Sequence, residues 1–253
     1  TNSGQVSSFK GDQGVLWSES TKWPVQALAI GPEGEAAVAQ GPILEGQANL
    51  LERVRLYHSN GELQSEQLLR NSSALTLVPS GADWLLSVVM LSPDQPQGQL
   101  LQLTSGRSEV KVLWRSPDII QALTVGVEGI AAAVGNKVHI IADSGEAHDI
   151  QLKNPVPDLA WIQGGTLAVV EAGDSPPAAA HIALITTSGD QIWRRRLKGP
   201  CRSLAVRGEE ILVADQNIVY SFSLKGDINW CYESSAPLQG LFPLAEKKEV
   251  VVT

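Results

Sequence analysis

The residues of this chain that could carry chemistry are few and widely spaced. Two cysteines and four histidines could ligate a metal or act as nucleophile and base, but either use needs side chains that converge. The histidines form no H-x-x-H or H-x-H pair, and the sequence has no G-x-S-x-G elbow, P-loop or dinucleotide fingerprint. We therefore expect no metal site, no cofactor and no catalytic residue. The side chains concerned are Cys201, Cys231, His58, His139, His148 and His181.

Composition and charge exclude some classes of function. The 253 residues carry a net charge of −8 with a pI near 5.0, which argues against nucleic-acid binding because that needs a basic face. The sequence has no run of 18 apolar residues that would predict a membrane span. It begins with Thr1 and not Met, which predicts a mature form that has lost a leader or anchor, although a cytosolic protein after tag cleavage would look the same. We expect an extracytoplasmic or cell-surface protein, attached to a membrane only through an anchor upstream of Thr1.

A short apolar motif recurs six times along the chain. Each copy holds an apolar strand, a turn with Gly or charged residues, and a second apolar strand. The copies QALAIGPEGEAAVA and QALTVGVEGIAAAV are too similar for chance to be a good explanation. Successive copies are 36 to 48 residues apart, measured between the aligned leucines Leu28, Leu75, Leu123, Leu159, Leu204 and Leu241.

A second hairpin follows each of the first five copies, and the clearest example is Ile218–Glu233. The period-2 pattern of its first half is that of a β-strand, and Lys225-Gly226-Asp227 supplies the turn. The N-terminal stretch Gln5–Ser18 matches this hairpin in its strand, its KGD turn and its Trp, whereas the sixth copy stops after two strands. The N-terminal hairpin is therefore predicted to complete the last unit.

Four-stranded units with a period of about 42 residues predict an all-β fold, a six-bladed β-propeller of four-stranded antiparallel blades. Radial closure of this kind leaves only short, protected strand edges. The N-terminal strands complete the C-terminal blade and close the ring, so that Val6–Phe9 should pair with Glu249–Val252. The single predicted domain has blades at approximately 25–70, 71–116, 117–153, 154–198, 199–234, and 235–253 plus 1–20.

The strands of each blade are named A to D, from the axis outward. Strand A is expected to be packed on both faces. Cys201 on strand A and Cys231 on strand D of one blade are about 14 Å apart, at three strand spacings of about 4.8 Å. A disulfide needs Cα atoms within about 7 Å, so two free thiols are predicted. Four tryptophans of the outer strands are expected to pack between neighbouring blades rather than stack on a ligand: Trp17, Trp114, Trp193 and Trp230.

The outer hairpins resemble the repeat of pyrroloquinoline-quinone-type propellers. In that repeat Trp follows a turn Gly at the fourth position, and the stretches Ser188–Trp193 (SGDQIW) and Lys225–Trp230 (KGDINW) carry it best. This superfamily contains quinone-dependent dehydrogenases and also non-enzymatic periplasmic lipoproteins that scaffold outer-membrane protein assembly, usually with eight blades. The dehydrogenases have a pair of adjacent cysteines and a calcium site, and this sequence has no adjacent cysteines. The resemblance therefore implies the fold, an extracytoplasmic setting and the non-enzymatic branch.

Loops provide the candidate binding surface, because function concentrates on loops that a rigid scaffold holds in place. Three connections between strands B and C are extended: Gly41–Leu51, Ser92–Gly98 and Ala172–Ala180. In a propeller these connections share one face with the D–A loops. The candidate binding residues on this loop face are Trp23, Arg70, Arg115, Asp118, Lys153, Asp158 and Arg202, and Lys198 lies in the same loops.

These patterns favour a non-enzymatic binding or scaffold module that recognises a protein, a peptide or a glycan on the loop face. The alternative is a hydrolase or lyase with a site in the axial funnel, which would need Asp118, Asp158, Arg115 and Arg202 to converge. The basic run Arg194–Arg196 is predicted to protect an outer edge strand through its charge. A docking site for an acidic partner or a lipid head group is the alternative interpretation of this run.

Overall fold

The protein is built from β-strands. The computed structural model describes residues 4–9, 15–42, 51–90, 97–107, 109–142, 144, 146–162, 164–173, 179–238, 241–243 and 250–252. These residues form 23 strands and no helix, so the all-β prediction is confirmed. The chain divides into two compact units, Thr1–Ile120 and Gln121–Thr253.

The first unit holds nine strands. Their bounds are β1 Gly4–Phe9, β2 Val15–Thr21, β3 Val25–Ile30, β4 Ala36–Gln40, β5 Leu51–Tyr57, β6 Leu63–Ser80, β7 Asp83–Met90, β8 Gln97–Thr104 and β9 Val110–Ser116. Strands β1 and β2 form a two-stranded sheet, and β3 to β9 form a seven-stranded sheet in chain order. Neighbouring strands in both sheets pair antiparallel.

The second unit continues with fourteen strands, the first of which begins at the boundary residue. Their bounds are β10 Ile120–Gly126, β11 Gly129–Val134, β12 Lys137–Ile141, β13 Ala147–Gln151, β14 Asp158–Ile162, β15 Thr166–Glu171, β16 His181–Thr186, β17 Gln191–Arg196, β18 Cys201–Arg207, β19 Glu210–Asp215, β20 Ile218–Ser223, β21 Ile228–Glu233, β22 Leu241–Pro243 and β23 Val250–Val252. They form three four-stranded sheets (β10 to β13, β14 to β17, β18 to β21) and the two-stranded sheet β22–β23.

The three four-stranded sheets confirm the repeating unit, since strands that follow each other in sequence are also neighbours in the sheet. The hairpin at Ile218–Glu233 forms as predicted, with β20 and β21 paired from Ile218 opposite Glu233 to Phe222 opposite Ile228. Gly226 in its turn has a φ of +80°, a conformation that glycine adopts without steric cost.

Strand β6 departs from the predicted pattern. The sequence predicts separate blades on either side of residue 70, but β6 runs through this boundary as one strand. It pairs with β5 from Leu63 to Leu68 and again at Ser72, which lies opposite Leu51, and it pairs with β7 from Ser72 to Ser80. The sequence RNSS at 70–73 has no Gly or Pro to end a strand, so the two groups join into one seven-stranded sheet.

The second strand of each group is the most buried one, and the expectation that strand A is packed on both faces is wrong for β3. All five residues of β4 are buried, as are the last five of β15 and of β19. By contrast, Leu28 and Ile30 on the first strand β3 are 50% and 57% exposed. The second strand β4 has a neighbour on each edge, whereas β3 has a partner on one edge only.

Outer-strand tryptophans pack on the turn of the next group. A Cβ added to Gly226 would lie 2.8 Å from the indole of Trp193, whose Nε1 also donates to the carbonyl of Leu224 at 2.9 Å. In the first unit the indole of Trp17 lies in the same way against Gly61. The predicted structural role of Trp17 and Trp193 is therefore confirmed.

Two groups without a tryptophan make the same contact with other side chains. Ile150 on β13 lies 3.1 Å from where a Cβ of Gly189 would be. Gln67 on β6 donates through Nε2 to the carbonyl of Arg107 at 3.0 Å, in the turn that follows β8. The contact between an outer strand and the next turn thus recurs at four places among the described residues.

Trp230 on β21 does not follow this pattern in the described part of the chain. Its side chain is 36% exposed, and its Nε1 donates to Glu210 of its own sheet at 2.8 Å. The turn at residues 10–14, on which the predicted six-blade ring would pack Trp230, lies outside the described residues, so the packing of Trp230 between blades stays a prediction. Trp114 on β9 is half-buried, and its predicted role stays a prediction.

The two cysteines lie where the strand order places them. Cys201 is on β18 and Cys231 on β21, the first and fourth strands of one sheet. Both are free thiols, in agreement with the predicted strand spacing.

The terminal strands form two separate pairs. Strand β1 pairs with β2 from Gly4 opposite Thr21, and β22 pairs with β23 from Leu241 opposite Val252. The predicted pairing of Val6–Phe9 with Glu249–Val252 is not among the strand pairs of the described residues, and Glu249 lies outside them. The closed ring and the count of six blades therefore stay predictions.

Candidate functional site

Inner strands of successive four-stranded groups are joined by hydrogen bonds from backbone N–H groups to side-chain oxygens. In the first unit the N–H of Ala74 donates to Oε1 of Gln26 at 3.1 Å. Such bonds satisfy backbone donors that have no partner within their own sheet. The bonds of the second unit are Trp161 N–H to Thr124 Oγ1 at 3.2 Å, Leu204 N–H to Asp158 Oδ2 at 3.0 Å, and Leu241 N–H to Ser203 Oγ at 3.3 Å.

Asp158 is the predicted site residue whose environment changes its chemistry most. Its Oδ2 accepts from Leu204, and its Oδ1 accepts from its neighbour Leu159 at 2.9 Å. Burial raises the pKa of Asp158 to about 6, although the two N–H bonds favour the ionised form. A carboxyl with this pKa could exchange a proton near neutral pH, but both of its oxygens are already used to hold backbone groups.

Cys201 is not suited to nucleophilic chemistry. Burial, and then the nearby charge of Asp158, raise the pKa of the Cys201 thiol to about 12. The thiolate is the reactive form of cysteine, so Cys201 stays protonated and inert at neutral pH.

Two buried carboxylates missed by the sequence analysis fix the loops of the predicted site. Asp215 ends β19, and its Oδ2 accepts from the N–H groups of Lys198 and Gly199 at 2.9 and 3.0 Å. Glu171 ends β15, and its Oε2 accepts from the N–H of Asn154 at 3.3 Å. Each acid thus binds the backbone of the loop that leads into its own sheet.

A sequence signal for these two acids exists. The buried strands TLAVVE and EILVAD each end in a single acidic residue, at the same place in two successive units. Glu171 also accepts from Nε of Arg194 at 2.8 Å, so its charge is paired. A charged residue that closes a fully apolar strand is expected to be buried with a partner, because an unpaired buried charge is costly.

Three predicted cationic residues are exposed on these fixed loops. Lys153 and Lys198 are exposed, each beside a backbone group that Glu171 or Asp215 holds. Arg202 is exposed as the extra residue of a β-bulge on β18, because the pairing passes directly from Cys201 to the next partner at Ser203. The structure therefore presents Lys153 and Lys198 from two loops of the second unit, and Arg202 from the start of β18.

The predicted site residues of the first unit are less closely organised. Trp23 is half-buried, with the ammonium of Lys22 4.8 Å from its ring centroid. Arg115 at the end of β9 and Asp118 just after it are both exposed. Arg70 lies on β6, but its side chain is outside the described residues.

The extended loops fall mostly outside the described residues. This holds for positions 43–50, 91–96 and 174–178, which form most of the three predicted B–C connections. The prediction that these loops contribute to binding therefore stays a prediction.

Within the described residues of each unit, the four residues of the enzyme alternative do not form ion pairs with one another. In the part of the second unit that the structure describes, the oxygens of Asp158 accept from backbone groups, while Arg202 is exposed on its bulge. Among described residues of the first unit, no ion pair joins Arg115 and Asp118. No described group of three or more His, Cys, Asp or Glu side chains could hold a metal ion.

The basic run on β17 divides between roles. Arg194 pairs with buried Glu171, and Arg195 donates through Nε to the carbonyl of Gly226 at 3.0 Å. Arg195 and Arg196 are both exposed.

As for possible membrane spans, the described residues contain no helix of the necessary length and apolar character.

Comparison with known proteins identifies the family. The family model for the lipoprotein LpqB β-propeller domain matches residues 17–238. The chain belongs to this family. No curated protein matches the chain.

Solved structures agree with the family's fold. The propeller is similar to the crystal structure of BamB from Moraxella catarrhalis, with a TM-score of 0.59 and 13% sequence identity, over 94% of this chain and 85% of that one. It is also similar to a protein of unknown function from Bacteroides caccae, with a TM-score of 0.59 and 10% identity, over 88% and 87% of the two chains. At these identities the likeness concerns the fold alone. The β-propeller prediction is confirmed, and the quinoprotein-type assignment stays a prediction.

Proposed function

We propose that this propeller is a non-enzymatic interaction module of the cell envelope, which holds a segment of a partner protein on its loop face. Membership of a family named for a lipoprotein supports the extracytoplasmic setting. Partner proteins are the proposed ligands, and a peptide or a glycan is the alternative that the experiment below distinguishes.

The observation that carries the proposal is the rigid support of exposed cations. The buried carboxylates of Asp215 and Glu171 accept hydrogen bonds from backbone N–H groups of the loops, which fixes the loops at Lys198 and Asn154. The backbone that carries the exposed Lys198, close to the exposed Arg202, is therefore fixed. These cations lie together although the chain as a whole carries a net charge of −8. Preorganised cations of this kind favour an acidic segment of a partner protein, since less ordering entropy is lost on binding.

One observation favours an enzyme, namely the raised pKa of Asp158. A general acid needs a free oxygen within hydrogen-bond reach of its substrate. Both oxygens of Asp158 accept backbone N–H groups, which supports the binding module over a hydrolase or lyase.

Site-specific photo-crosslinking in cells tests the proposal. A photoreactive residue at Lys198 should give protein adducts of defined mass, and these adducts should be lost when Arg202→Glu is added. The matched control is a photoreactive residue at Lys225, which is exposed in the turn at the opposite end of the strands and should give none of these adducts. Equal adducts from both positions, or adducts that resist protease and yield to glycosidase, would contradict the proposal.

We also propose that the ring is closed by six blades, with one blade shared between the termini. Within its own unit, each half of this blade makes a contact that other groups also make with their neighbours. The indole of Trp17 packs on Gly61, and the N–H of Leu241 donates to Oγ of Ser203. In addition, an open groove of about 490 Å³ borders β1 and β3. The residues that line this groove are Gln5, Val6, Ser7, Val25 and Leu28.

A further inference from the structure

The turns of the first unit surround a small pocket that the proposed function does not use. These turns lie at one end of the strands, which we call the turn end, and the loop face lies at the other end. The pocket has a volume of about 180 Å³ and lies between the first group, β3 to β6, and the second group, β6 to β9. All of its lining residues are described and lie within residues 31–105, so the pocket belongs to the first unit alone.

The size and the walls of this pocket suit one extended side chain. Small-molecule sites usually measure about 300–1,000 Å³, well above the volume of this pocket. Pro32 and Pro79 supply apolar walls, and the buried Trp84 also lines the pocket. Walls of this kind suit the methylene stem of a long side chain, which packs on apolar surface while its charged end stays in a polar environment.

Glu35 supplies the negative charge of the pocket. Its Oε2 accepts from the N–H of Glu33 at 3.2 Å, and a Cβ added to Gly31 would lie 2.6 Å from this oxygen and 3.3 Å from Cη2 of Trp84. The carboxylate therefore lies beside the indole at the pocket wall. In the described part of the first unit, no ion pair joins Glu35 to a cation.

The surroundings of Glu35 are acidic as well. Exposed Glu33 lies in the same turn, and exposed Glu62 lies in the turn at 58–62. These two turns are adjacent, because a Cβ added to Gly34 would lie 3.3 Å from Cβ of Ser59. No Lys or Arg is among the described residues that line the pocket, and such a site attracts a cation.

We propose that this pocket binds one lysine side chain of a partner protein, with its stem against Pro32 and Pro79 and its ammonium on Oε1 of Glu35. Lysine fits better than arginine, because a guanidinium pairs best with both oxygens of a carboxylate and Oε2 already accepts the N–H of Glu33. The ammonium has two further protons to donate, and the polar side chains of Gln64 and Ser105 line the same pocket.

The weakness of a single contact favours a protein over a free amine. A ligand of about the size of one amino acid is expected to bind with a dissociation constant on the order of 1 mM. Useful affinity therefore needs further contacts around the pocket, which a protein surface brings and a free amine does not. The turn end is opposite the loop face, so this site does not rest on the proposed function.

Nuclear magnetic resonance of the full, nitrogen-15-labelled chain tests the chemistry of the pocket. Nα-acetyl-lysine N-methylamide should shift the signals of the Gly31 and Gly81 N–H groups and the Trp84 indole N–H in a saturable way, with a dissociation constant on the order of 1 mM. Nα-acetyl-norleucine N-methylamide has a similar stem without the charge and should bind at least about fivefold more weakly. Equal affinity for the two probes, or no saturable shift with the lysine probe up to about tenfold that concentration, would overturn the proposal.

Variants of the pocket locate the binding. Glu35→Gln keeps the shape of the side chain and should weaken the lysine probe at least about fivefold. The matched control Glu62→Gln removes the same charge from an exposed residue outside the lining and should change the affinity less than twofold. Ala82→Leu at an exposed lining position should block the lysine probe without changing the charge, and thermal midpoints should stay at the wild-type value. Equal effects of Glu35→Gln and Glu62→Gln would place the lysine probe outside the pocket and contradict the proposal.

Photo-crosslinking in cells tests whether the occupant is a protein. A photoreactive residue at exposed Ser59, beside the turn of Glu35, should give protein adducts that Glu35→Gln removes and Glu62→Gln leaves in place. Absence of such adducts, together with binding of the lysine probe, would identify a free amine as the ligand and overturn the partner protein. Loss of the adducts at Lys198 with those at Ser59 retained would contradict the proposed function alone.

Discussion

Asp158, Glu171 and Asp215 each place a carboxylate where backbone N–H groups have no partner within a sheet. A carboxylate that accepts two N–H groups is strongly bound, because hydrogen bonds to a charged acceptor are about twice as strong as neutral ones. The three residues differ in how far the burial of the charged carboxylate destabilises the fold. Glu171 is paired with Arg194, whereas Asp158 has backbone donors only, and burial raises its pKa to about 6.

The pH dependence of stability should show this cost at Asp158. Its pKa rises from 3.8 in the unfolded chain to about 6 in the folded one, so the folded state holds the proton more tightly. The stabilising effect of protonation is complete below about pH 4 and is lost as the pH rises through 6, on the order of 3 kcal/mol. Asp158→Asn should remove this fall in the free energy of unfolding, measured by urea unfolding from pH 4 to pH 7.

A matched variant of an exposed acid makes the comparison specific. Asp118→Asn changes the same charge at an exposed position and should leave the pH profile of the wild type unchanged. If Asp158→Asn and Asp118→Asn gave the same profile, the raised pKa of Asp158 would be excluded.

At the scale of the element, the contact between an outer strand and the next turn decides how neighbouring sheets pack. The sequence predicts this contact where Trp follows a turn Gly, as Trp193 follows Gly189, and Trp193 packs on Gly226 in the next turn. It does not predict Ile150 or Gln67 in the same position, because an Ile or Gln on a strand has no distinctive spacing. The exposed Trp230 shows the converse, a correct motif without the predicted burial in the described residues.

Gly226→Ala tests the contact. The φ of +80° costs a residue with a Cβ about 1–2 kcal/mol, and the Cβ would in addition lie 2.8 Å from Trp193, which adds an overpacking cost of about 1–3 kcal/mol. Gly208→Ala is the control, since its φ is +59° and no atom lies within 4 Å of the added Cβ. Urea unfolding should show a larger loss of stability for Gly226→Ala than for Gly208→Ala, and equal losses would contradict the packing role.

At the scale of the whole molecule, the repeat in the sequence predicts the class of fold because turn glycines and apolar strands recur at a regular period. The boundary between the first two groups could not be predicted, since β6 passes it without a strand-breaking residue. The role of Glu171 and Asp215 in fixing loops could not be predicted either, because it depends on backbone groups of residues 16 or 17 positions away. The sequence predicted which cationic residues lie at this face. The structure adds that buried carboxylates fix the loops beside them.

The most direct test of the account is the closure of the ring. Cysteines at Val6 or Ser7, each combined with one cysteine in Val250–Val252, are introduced in a Cys201→Ser, Cys231→Ser chain and oxidised. A closed ring of six blades predicts an intramolecular disulfide in at least one pair, seen as an intact monomer mass reduced by two hydrogens and a faster non-reducing gel mobility. If every pair stays reduced or crosslinks only between chains, the termini do not share a blade and the six-blade account is wrong.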